Sequence, residues 1–182
     1  MHIDTQNGLL REARQLPSPN YDLRPPECAI DLVVVHAISL PAGEFGGPWI
    51  DKLFCNELDA AANPEFTDIC GLQVSAHVLI RRDGELVQYV PFQARAWHAG
   101  ASCFEGRQRC NDFSIGIELE GCDQQAFEDV QYRQLATLCR ALMQAYPAIT
   151  PERITGHSDI APGRKTDPGP CFDWAALRSL LA

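Results

Sequence analysis

Leu32-Val33-Val34-Val35-His36 is a continuous run of apolar, mostly β-branched residues that ends at a histidine. Such a run is typical of a strand that is buried on both faces of a sheet. A buried central strand places the side chain at its end on a rigid element, which is a common way to build a functional site. The run therefore predicts a central strand that delivers His36 to a site.

A β-hairpin is predicted farther along the chain. Residues 74–80 and 86–90 are strand-like, and Asp83-Gly84 lies between them. Asp-Gly tolerates positive φ and suits a tight turn. The pattern therefore predicts two antiparallel strands joined at this dipeptide.

Two longer periodic segments follow. Residues 114–120 alternate, with apolar side chains on one face and Glu118 and Glu120 on the other. This period predicts a half-exposed strand that carries carboxylates. From Asp129 to Tyr146, apolar residues recur at helical spacing and predict a long helix that packs on the sheet.

Together, the elements predict a mixed α+β (α/β) fold. We also expect a helix within 49–58, a short strand end at 154–157 and a terminal helix from about Asp173. Residues 1–30 contain four prolines and are predicted to form an extended surface arm without a regular core element. The fold class predicted for residues 1–182 is a single domain with a central mixed β-sheet flanked by helices.

Composition excludes several functions. The formal net charge of −9 and the lack of a basic stripe make nucleic acid a poor partner. No stretch approaches the roughly 18 continuous apolar residues of a membrane helix, and the N-terminus has neither a basic leader nor an apolar run. We therefore expect a cytoplasmic protein with no membrane partner, and the sequence indicates no obligate protein partner.

The eight cysteines are interpreted as free thiols. They form no CxxC pair, and a reducing compartment disfavours disulfides. Free cysteines serve readily as small core residues. A disulfide framework and a cysteine-ligated zinc site are the alternatives.

The histidines predict a metal site. Four of the five lie at or beside apolar strand-like segments: His36, His77, His98 and His157. Any one alone would be interpreted as a structural histidine. His36 and His157 differ because each follows an apolar strand, and a loop rich in proline and glycine follows His157. A His, His, Asp set leaves the fourth tetrahedral position of Zn²⁺ open for water, as in catalytic zinc sites.

Spacing alone leaves the ligand set open. Asp159 could take the place of Asp167 as the carboxylate ligand. His77 or His98 could likewise replace either of the other histidines.

Five motifs resemble, in their order, those of the zinc-dependent N-acetylmuramoyl-L-alanine amidases. That family also includes phage lysozyme-type amidases and animal peptidoglycan recognition proteins. The motifs are Val35-His36, Ser75-Ala76-His77, Ala96-Trp97-His98-Ala99-Gly100, Asn111-Asp112-Phe113-Ser114-Ile115-Gly116-Ile117-Glu118, and Gly156-His157 with Lys165-Thr166-Asp167-Pro168-Gly169-Pro170. The resemblance covers residues 31–174 and implies that this part is the family's catalytic core.

The resemblance implies that His36, His157 and Asp167 hold zinc, that Glu118 is the general base and that Lys165 stabilises the oxyanion. A carboxylate on the exposed face of a strand can take a proton from the attacking water. An ammonium beside the metal adds positive charge where the tetrahedral intermediate becomes negative. Without the motifs, Glu118 and Lys165 would be interpreted as solvated charges.

Four further residues are predicted to bind substrate: His77, Trp97, His98 and Arg109. Trp97 offers an aromatic face suited to a pyranose ring. Arg109 offers a planar fork for a carboxylate of the stem peptide. Core packing is the alternative for the first three, and a solvated loop charge is the alternative for Arg109.

Within the family, residues 38–51 and 109–112 resemble the cytosolic branch that acts on soluble 1,6-anhydromuropeptides. This implies hydrolysis of the amide between (1,6-anhydro)N-acetylmuramic acid and L-alanine in cell-wall recycling, with an indirect influence on β-lactamase induction. A non-catalytic peptidoglycan-binding module on the same fold is the alternative, and the complete His, His, Asp set argues against it. A phage-type endolysin would need access to the intact wall.

Two departures from the branch are expected to change affinity but not to abolish activity. Ala37 follows the first zinc histidine, where the branch usually has Asn. Some relatives have a tyrosine shortly before the Ser75 motif, but this chain has none between Tyr21 and Tyr89, and Glu65 stands in that region.

Overall fold

A six-stranded mixed sheet forms the centre of the computed structural model, which describes residues 1–182. The strands are β1 (Ile3–Asp4), β2 (Leu9–Leu10), β3 (Arg14–Gln15), β4 (Tyr21–Leu23), β5 (Leu32–Ile38), β6 (Val78–Ile80), β7 (Leu86–Gln88), β8 (Ala94–Ala96), β9 (Cys103–Phe104), β10 (Arg107–Gln108), β11 (Ser114–Glu120) and β12 (Ile154–Gly156). The helices are α1 (Trp49–Phe54), α2 (Asp129–Ala145), α3 (His157–Ile160) and α4 (Trp174–Leu181). None of these helices combines the length and apolar character needed to cross a bilayer.

The order of strands in the sheet is β12-β5-β11-β6-β7-β3. β5 lies between β12 and β11, and all three run parallel. The register aligns Glu118 with His36 and Gly156 with Val35, so His157 follows immediately beside the same edge. The carboxyl ends of three parallel strands therefore meet where the predicted site residues lie, and the predicted central strand is confirmed.

Strand β11 corrects the expectation of a half-exposed strand, because all of its residues are buried. One face, with Ile115 and Ile117, joins the core formed with α2. The other face, with Glu118 and Glu120, is covered by loops and neighbouring side chains, which leave Glu118 8% and Glu120 2% exposed. The alternation therefore separates a core face from a polar but buried face.

The predicted hairpin is confirmed, with β6 and β7 antiparallel and Gly84 at a φ of +89° in the turn. Its strands are shorter than predicted, since residues 74–77 are irregular. The long helix is confirmed as α2, whose Leu135, Leu138 and Leu142 are fully buried. The terminal helix α4 begins after Asp173, whose carboxylate accepts a hydrogen bond from the amide of Ala176.

Residues 1–30 are extended, but the expectation of a surface arm without core elements is wrong. β3 forms the edge of the central sheet by pairing with β7, and β4 pairs with β8. Leu10 is fully buried, and the Arg24 guanidinium donates to the carbonyl of Ser114. The extended backbone pairs with strand edges that are distant in sequence, and this pairing carries the segment into the core. The eight cysteines are all free thiols, as predicted.

Candidate active site

Three side chains converge at the carboxyl ends of the parallel strands. His36 belongs to β5, His157 is the first residue of α3 directly after β12, and Asp167 lies in the loop that follows α3. The amide of Ser158 donates to the carbonyl of Asp167 and folds this loop back onto the helix. The sheet and one short loop thus bring together residues that are up to 131 positions apart in sequence.

The three facing atoms form an almost equilateral triangle. Nδ1 of His36, Nδ1 of His157 and Oδ2 of Asp167 lie 3.0 Å from one another. Ligand atoms about 2.0–2.1 Å from one tetrahedral zinc ion lie roughly 3.3 Å apart, so small shifts would let a single ion contact all three. Two imidazole nitrogens and one carboxylate oxygen with this spacing fit a divalent cation.

The protonation states also suit metal binding. Burial lowers the pKa of His36 to about 4, against the opposing effect of the adjacent Asp167 carboxylate, so the imidazole is neutral at pH 7. Burial alone would raise the pKa of Asp167, but its interactions with His157 and His36 outweigh burial and hold that pKa below its usual range. A neutral imidazole and an ionised carboxylate are the forms that ligate metals.

Glu118 is buried beside the triangle and lacks a complete set of hydrogen bonds. Its Oε2 has no hydrogen-bond partner in the protein. Burial, and next the negative charge of Asp167, raise the pKa of Glu118 well above its ordinary value, while Lys165 opposes the shift. The expected location on an exposed strand face is wrong, but a buried carboxylate with a raised pKa is better suited to exchange protons near neutral pH.

A groove of about 230 Å³ opens onto these residues. Its polar side includes Glu118, Lys165 and the three residues of the triangle. Its apolar wall is formed by Ala37, Ile38, Leu53, Phe54, Leu72, Val74 and Trp97. The groove thus joins reactive groups to a surface that suits an apolar sugar face or an alanine methyl group.

Trp97 and His98, both predicted to bind substrate, line the groove. The ring of His98 also stands behind the triangle, with its Nδ1 2.9 Å from Nε2 of His36. A second depression lined by Trp97 and His98 continues past Arg164.

His77 and Arg109 lie elsewhere. His77 is 0% exposed, its Nδ1 accepts from the amide of Gly116, and its Nε2 lies 3.1 Å from the carbonyl of Ala94. It is buried and does not line the groove, which favours the core-packing alternative for this residue. The Arg109 side chain is 71% exposed and pairs with Asp112 at 3.3 Å, outside the residues that line the groove.

The alternative ligand Asp159 has a structural role. Its Oδ2 accepts from the hydroxyl of Thr155 and the amide of Gly156, at the start of α3. Glu65, at the place of the missing tyrosine, accepts from the amide of Ala42 and holds a loop.

Sequence reasoning gave no role to Asn111, Ser114 or Arg164. Asn111 and Ser114 belong to a recognised motif, but their partners lie in other segments. Arg164 lies next to Lys165, and no carboxylate pairs with it, whereas most other arginines form ion pairs. No sequence signal marked Arg164, because its lack of a carboxylate partner is visible only in the folded protein.

Comparisons with known proteins agree with this geometry. A family model described as N-acetylmuramoyl-L-alanine amidase matches residues 26–170. The chain is similar to the 1,6-anhydro-N-acetylmuramyl-L-alanine amidase AmpD of Escherichia coli K12, with 62% identity over 177 residues that cover 97% of this chain and 96% of that protein. It is also similar to AmpD of Haemophilus influenzae, with 52% identity over 94% of this chain and 93% of the relative.

Solved structures show the same relationship. A crystal structure of a selenomethionine AmpD derivative matches with a TM-score of 0.96 and 61% identity, and each chain is covered completely. The Escherichia coli amidase AmiD, solved with the substrate anhydro-N-acetylmuramic acid-L-Ala-D-γ-Glu-L-Lys, matches with a TM-score of 0.61 and 33% identity over 86% of this chain and 60% of that one.

Proposed function

The chain belongs to the N-acetylmuramoyl-L-alanine amidase family and is an amidase, and from this premise we propose its substrate and its metal. It hydrolyses the amide between 1,6-anhydro-N-acetylmuramic acid and L-alanine in soluble fragments of peptidoglycan turnover. It uses a zinc ion held by His36, His157 and Asp167. As an amidase, it is not the non-catalytic binding module considered above.

One observation carries the proposal: a metal-binding triangle and an unpartnered buried carboxylate face the same groove. The zinc ion, when bound, supplies a Lewis acid that polarises the scissile carbonyl and lowers the pKa of water. The remaining steps belong to the side chains of this protein.

Glu118 moves the proton. Its unpartnered oxygen accepts a proton from the water that attacks the carbonyl carbon. The same carboxyl group then delivers that proton to the nitrogen of L-alanine as the amide bond breaks, and Glu118 returns to its ionised form. A raised pKa suits both halves of this exchange, because the group must accept and release a proton near neutral pH.

Lys165 stabilises negative charge. The residue lines the groove together with Asp167 and Glu118. Its ammonium adds positive charge where the carbonyl oxygen becomes negative in the tetrahedral intermediate.

The groove and the relatives support the choice of substrate. The apolar wall and the face of Trp97 suit a sugar ring, while the polar side meets the peptide bond. Related enzymes are named for 1,6-anhydro-N-acetylmuramyl-L-alanine. We place the enzyme in the cytoplasm, where the free cysteines would remain reduced, as a recycling enzyme that removes fragments able to influence β-lactamase induction.

Product analysis tests the substrate. We would incubate the protein with a 1,6-anhydromuramyl tripeptide and identify the products by mass spectrometry, with and without chelator and added zinc. Release of the intact tripeptide, blocked by chelator and restored by zinc, is the expected result. A folded, zinc-loaded protein that leaves the fragment intact would contradict the proposed substrate.

A matched pair of aspartate variants tests the ligand set. Asp167→Ala removes one ligand and is expected to lose zinc from the purified protein. Asp159→Asn, in the short helix α3 just before that loop, changes a helix cap and is expected to keep zinc. Loss of zinc from the second variant alone would overturn the assignment.

A further inference from the structure

We infer that His98 and Ala99, consecutive residues of one loop, hold both proposed zinc histidines in the tautomer and orientation that bind metal. His98 is thus a positioning residue for His36. This inference rests on the zinc site of the proposed function. We call His98, Ala99 and their anchors Ser114 and Asn111 the histidine clamp.

The direction of the hydrogen bonds begins at Ser114. Its hydroxyl oxygen lies 2.6 Å from the carbonyl oxygen of Cys110, and since a carbonyl cannot donate, the hydroxyl proton lies between them. Nε2 of His98 lies 3.2 Å from the same hydroxyl oxygen and therefore donates to it. A neutral imidazole carries one N–H, so Nδ1 of His98 is an acceptor.

The tautomer of His98 fixes the direction of its hydrogen bond with His36, the first proposed metal ligand. Nε2 of His36 lies 2.9 Å from the acceptor nitrogen of His98 and must donate its proton there. The lone pair of His36 Nδ1 consequently faces Asp167 and His157, as a metal ligand requires.

Ala99 does the same for the second ligand. Nε2 of His157 lies 3.1 Å from the carbonyl oxygen of Ala99, which can only accept. The N–H of His157 is therefore at Nε2, and its Nδ1 lone pair faces the triangle. The guanidinium of Arg164 donates to the same carbonyl at 2.7 Å and helps hold it in place.

Asn111 holds the loop that carries His98 and Ala99, and Gly116 leaves space for the His98 ring. Oδ1 of Asn111 accepts from the backbone amides of both His98 and Ala99, at 3.2 and 2.8 Å. The His98 ring lies over Gly116, where an added Cβ would come within 2.4 Å of it. Glycine at this position of β11 thus makes room for the clamp.

A change at Ser114 can distinguish the positioning role of His98 from direct substrate binding by His98. Its side chain is fully buried and is not among the residues that line the groove. If His98 acts only by touching substrate, loss of the Ser114 hydroxyl leaves zinc binding unchanged. If His98 acts as a clamp, the same loss lets its ring adopt the other tautomer and weakens zinc binding.

Zinc affinity, measured by competition with a chromophoric chelator, tests the clamp. His98→Ala is expected to weaken zinc binding about 10- to 100-fold, the usual effect of losing a residue that orients a metal ligand. His98→Asn should recover part of this loss because its Oδ1 can accept from His36. Ser114→Ala should weaken binding by a smaller factor.

Ser18→Ala is the matched control. Ser18 is also buried and its hydroxyl donates to a carbonyl, that of Phe54, but it makes no hydrogen bond to His36, His157, Asp167 or His98. This variant is expected to melt at a lower temperature but to bind zinc as the unmodified protein does. Melting of each zinc-free variant checks folding, and His98→Asn and Ser114→Ala carry the test if His98→Ala does not fold.

Two failures are distinguishable. If the unmodified protein binds zinc and the folded His98 and Ser114 variants bind it equally tightly, with only KM raised in the His98 variants, the clamp is wrong and the proposed function stands. If the unmodified protein cleaves substrate without binding zinc, the zinc site itself is wrong, and the clamp fails with it.

Discussion

Glu118 and Glu120 lie two residues apart on the same face of β11, and both are buried. Glu120 is surrounded by donors: its carboxylate accepts from the amides of Gly46 and Arg82 at 2.7 and 3.1 Å and lies 3.4 Å from the Arg81 guanidinium. Glu118 has an oxygen with no partner at all. One strand therefore carries a carboxylate whose hydrogen bonds are satisfied and one with an unpartnered oxygen, which we propose is the reactive one.

The cavities beside the two glutamates also differ in whether their charged groups are paired. The cleft beside Glu120 is larger, about 560 Å³, than the groove beside Glu118. Its arginines are already paired with carboxylates: Arg14 and Arg81 with Asp51 and Glu85, and Arg82 with Glu128. The smaller groove holds the unpartnered oxygen and the candidate metal-binding triangle, and for this reason we propose it, and not the larger cleft, as the active site.

Glu118→Gln should abolish the proton transfer that we propose for Glu118. The variant keeps the shape of the side chain but cannot take a proton, and we expect kcat to fall about 10²- to 10⁴-fold with zinc content unchanged. The zinc-free variant should be at least as stable as the unmodified protein near neutral pH, since it no longer buries an unpartnered charge. A near-normal rate would remove Glu118 from the mechanism.

Lys165→Met should slow catalysis without changing a proposed metal ligand. Loss of the ammonium is expected to lower kcat by about 10²-fold, the scale of losing one group that stabilises an oxyanion. Zinc content and melting temperature should remain unchanged, because Lys165 is exposed and forms no ion pair with a carboxylate. A change confined to KM would assign Lys165 to substrate binding instead.

Glu120→Gln should weaken the fold, because Glu120 accepts hydrogen bonds that tie β11 to neighbouring segments. The neutral amide cannot accept all three hydrogen bonds, and we expect the free energy of unfolding to fall by about 2 kcal/mol, measured by urea denaturation. The rate per folded, zinc-loaded molecule should stay within a few-fold of normal. A loss of kcat as large as that of Glu118→Gln, without a loss of stability, would contradict the distinction between the two residues.

The pH dependence of the rate should depend on Glu118 and not on Glu120. Because burial raises the pKa of Glu118, the rate should be lost as pH falls through a value above that of an ordinary glutamate. Lys165 opposes this shift, so Lys165→Met should move the acid limb to higher pH, while Glu120→Gln should leave it in place. Zinc content, measured at each pH, separates proton transfer from loss of metal.

The motifs predicted the family, and the comparisons confirm it. The apolar run before His36 predicted its location because a buried strand has a local signature. The burial of Glu118 was not predictable, since Ile115, Ile117 and Glu118 alternate with the same period whether the second face meets water or protein. That difference depends on chain segments distant in sequence.

His77 and His98 illustrate the same limit. Both stand beside apolar segments and looked alike in sequence, yet one is held inside the sheet and the other stands behind a proposed metal ligand. Residues 1–30 were correctly predicted to be extended, because proline restricts φ locally. Their burial depends on pairing with β7 and β8, which no local pattern encodes.

The most direct test of the account is the rate of anhydromuramyl tripeptide hydrolysis measured as zinc is added back to the metal-free protein. We expect the rate to rise in proportion to bound zinc, to reach its maximum at one zinc per chain, and to stay near zero at every zinc concentration in Asp167→Ala. Full turnover by the metal-free protein, or equal turnover by that variant, would contradict it.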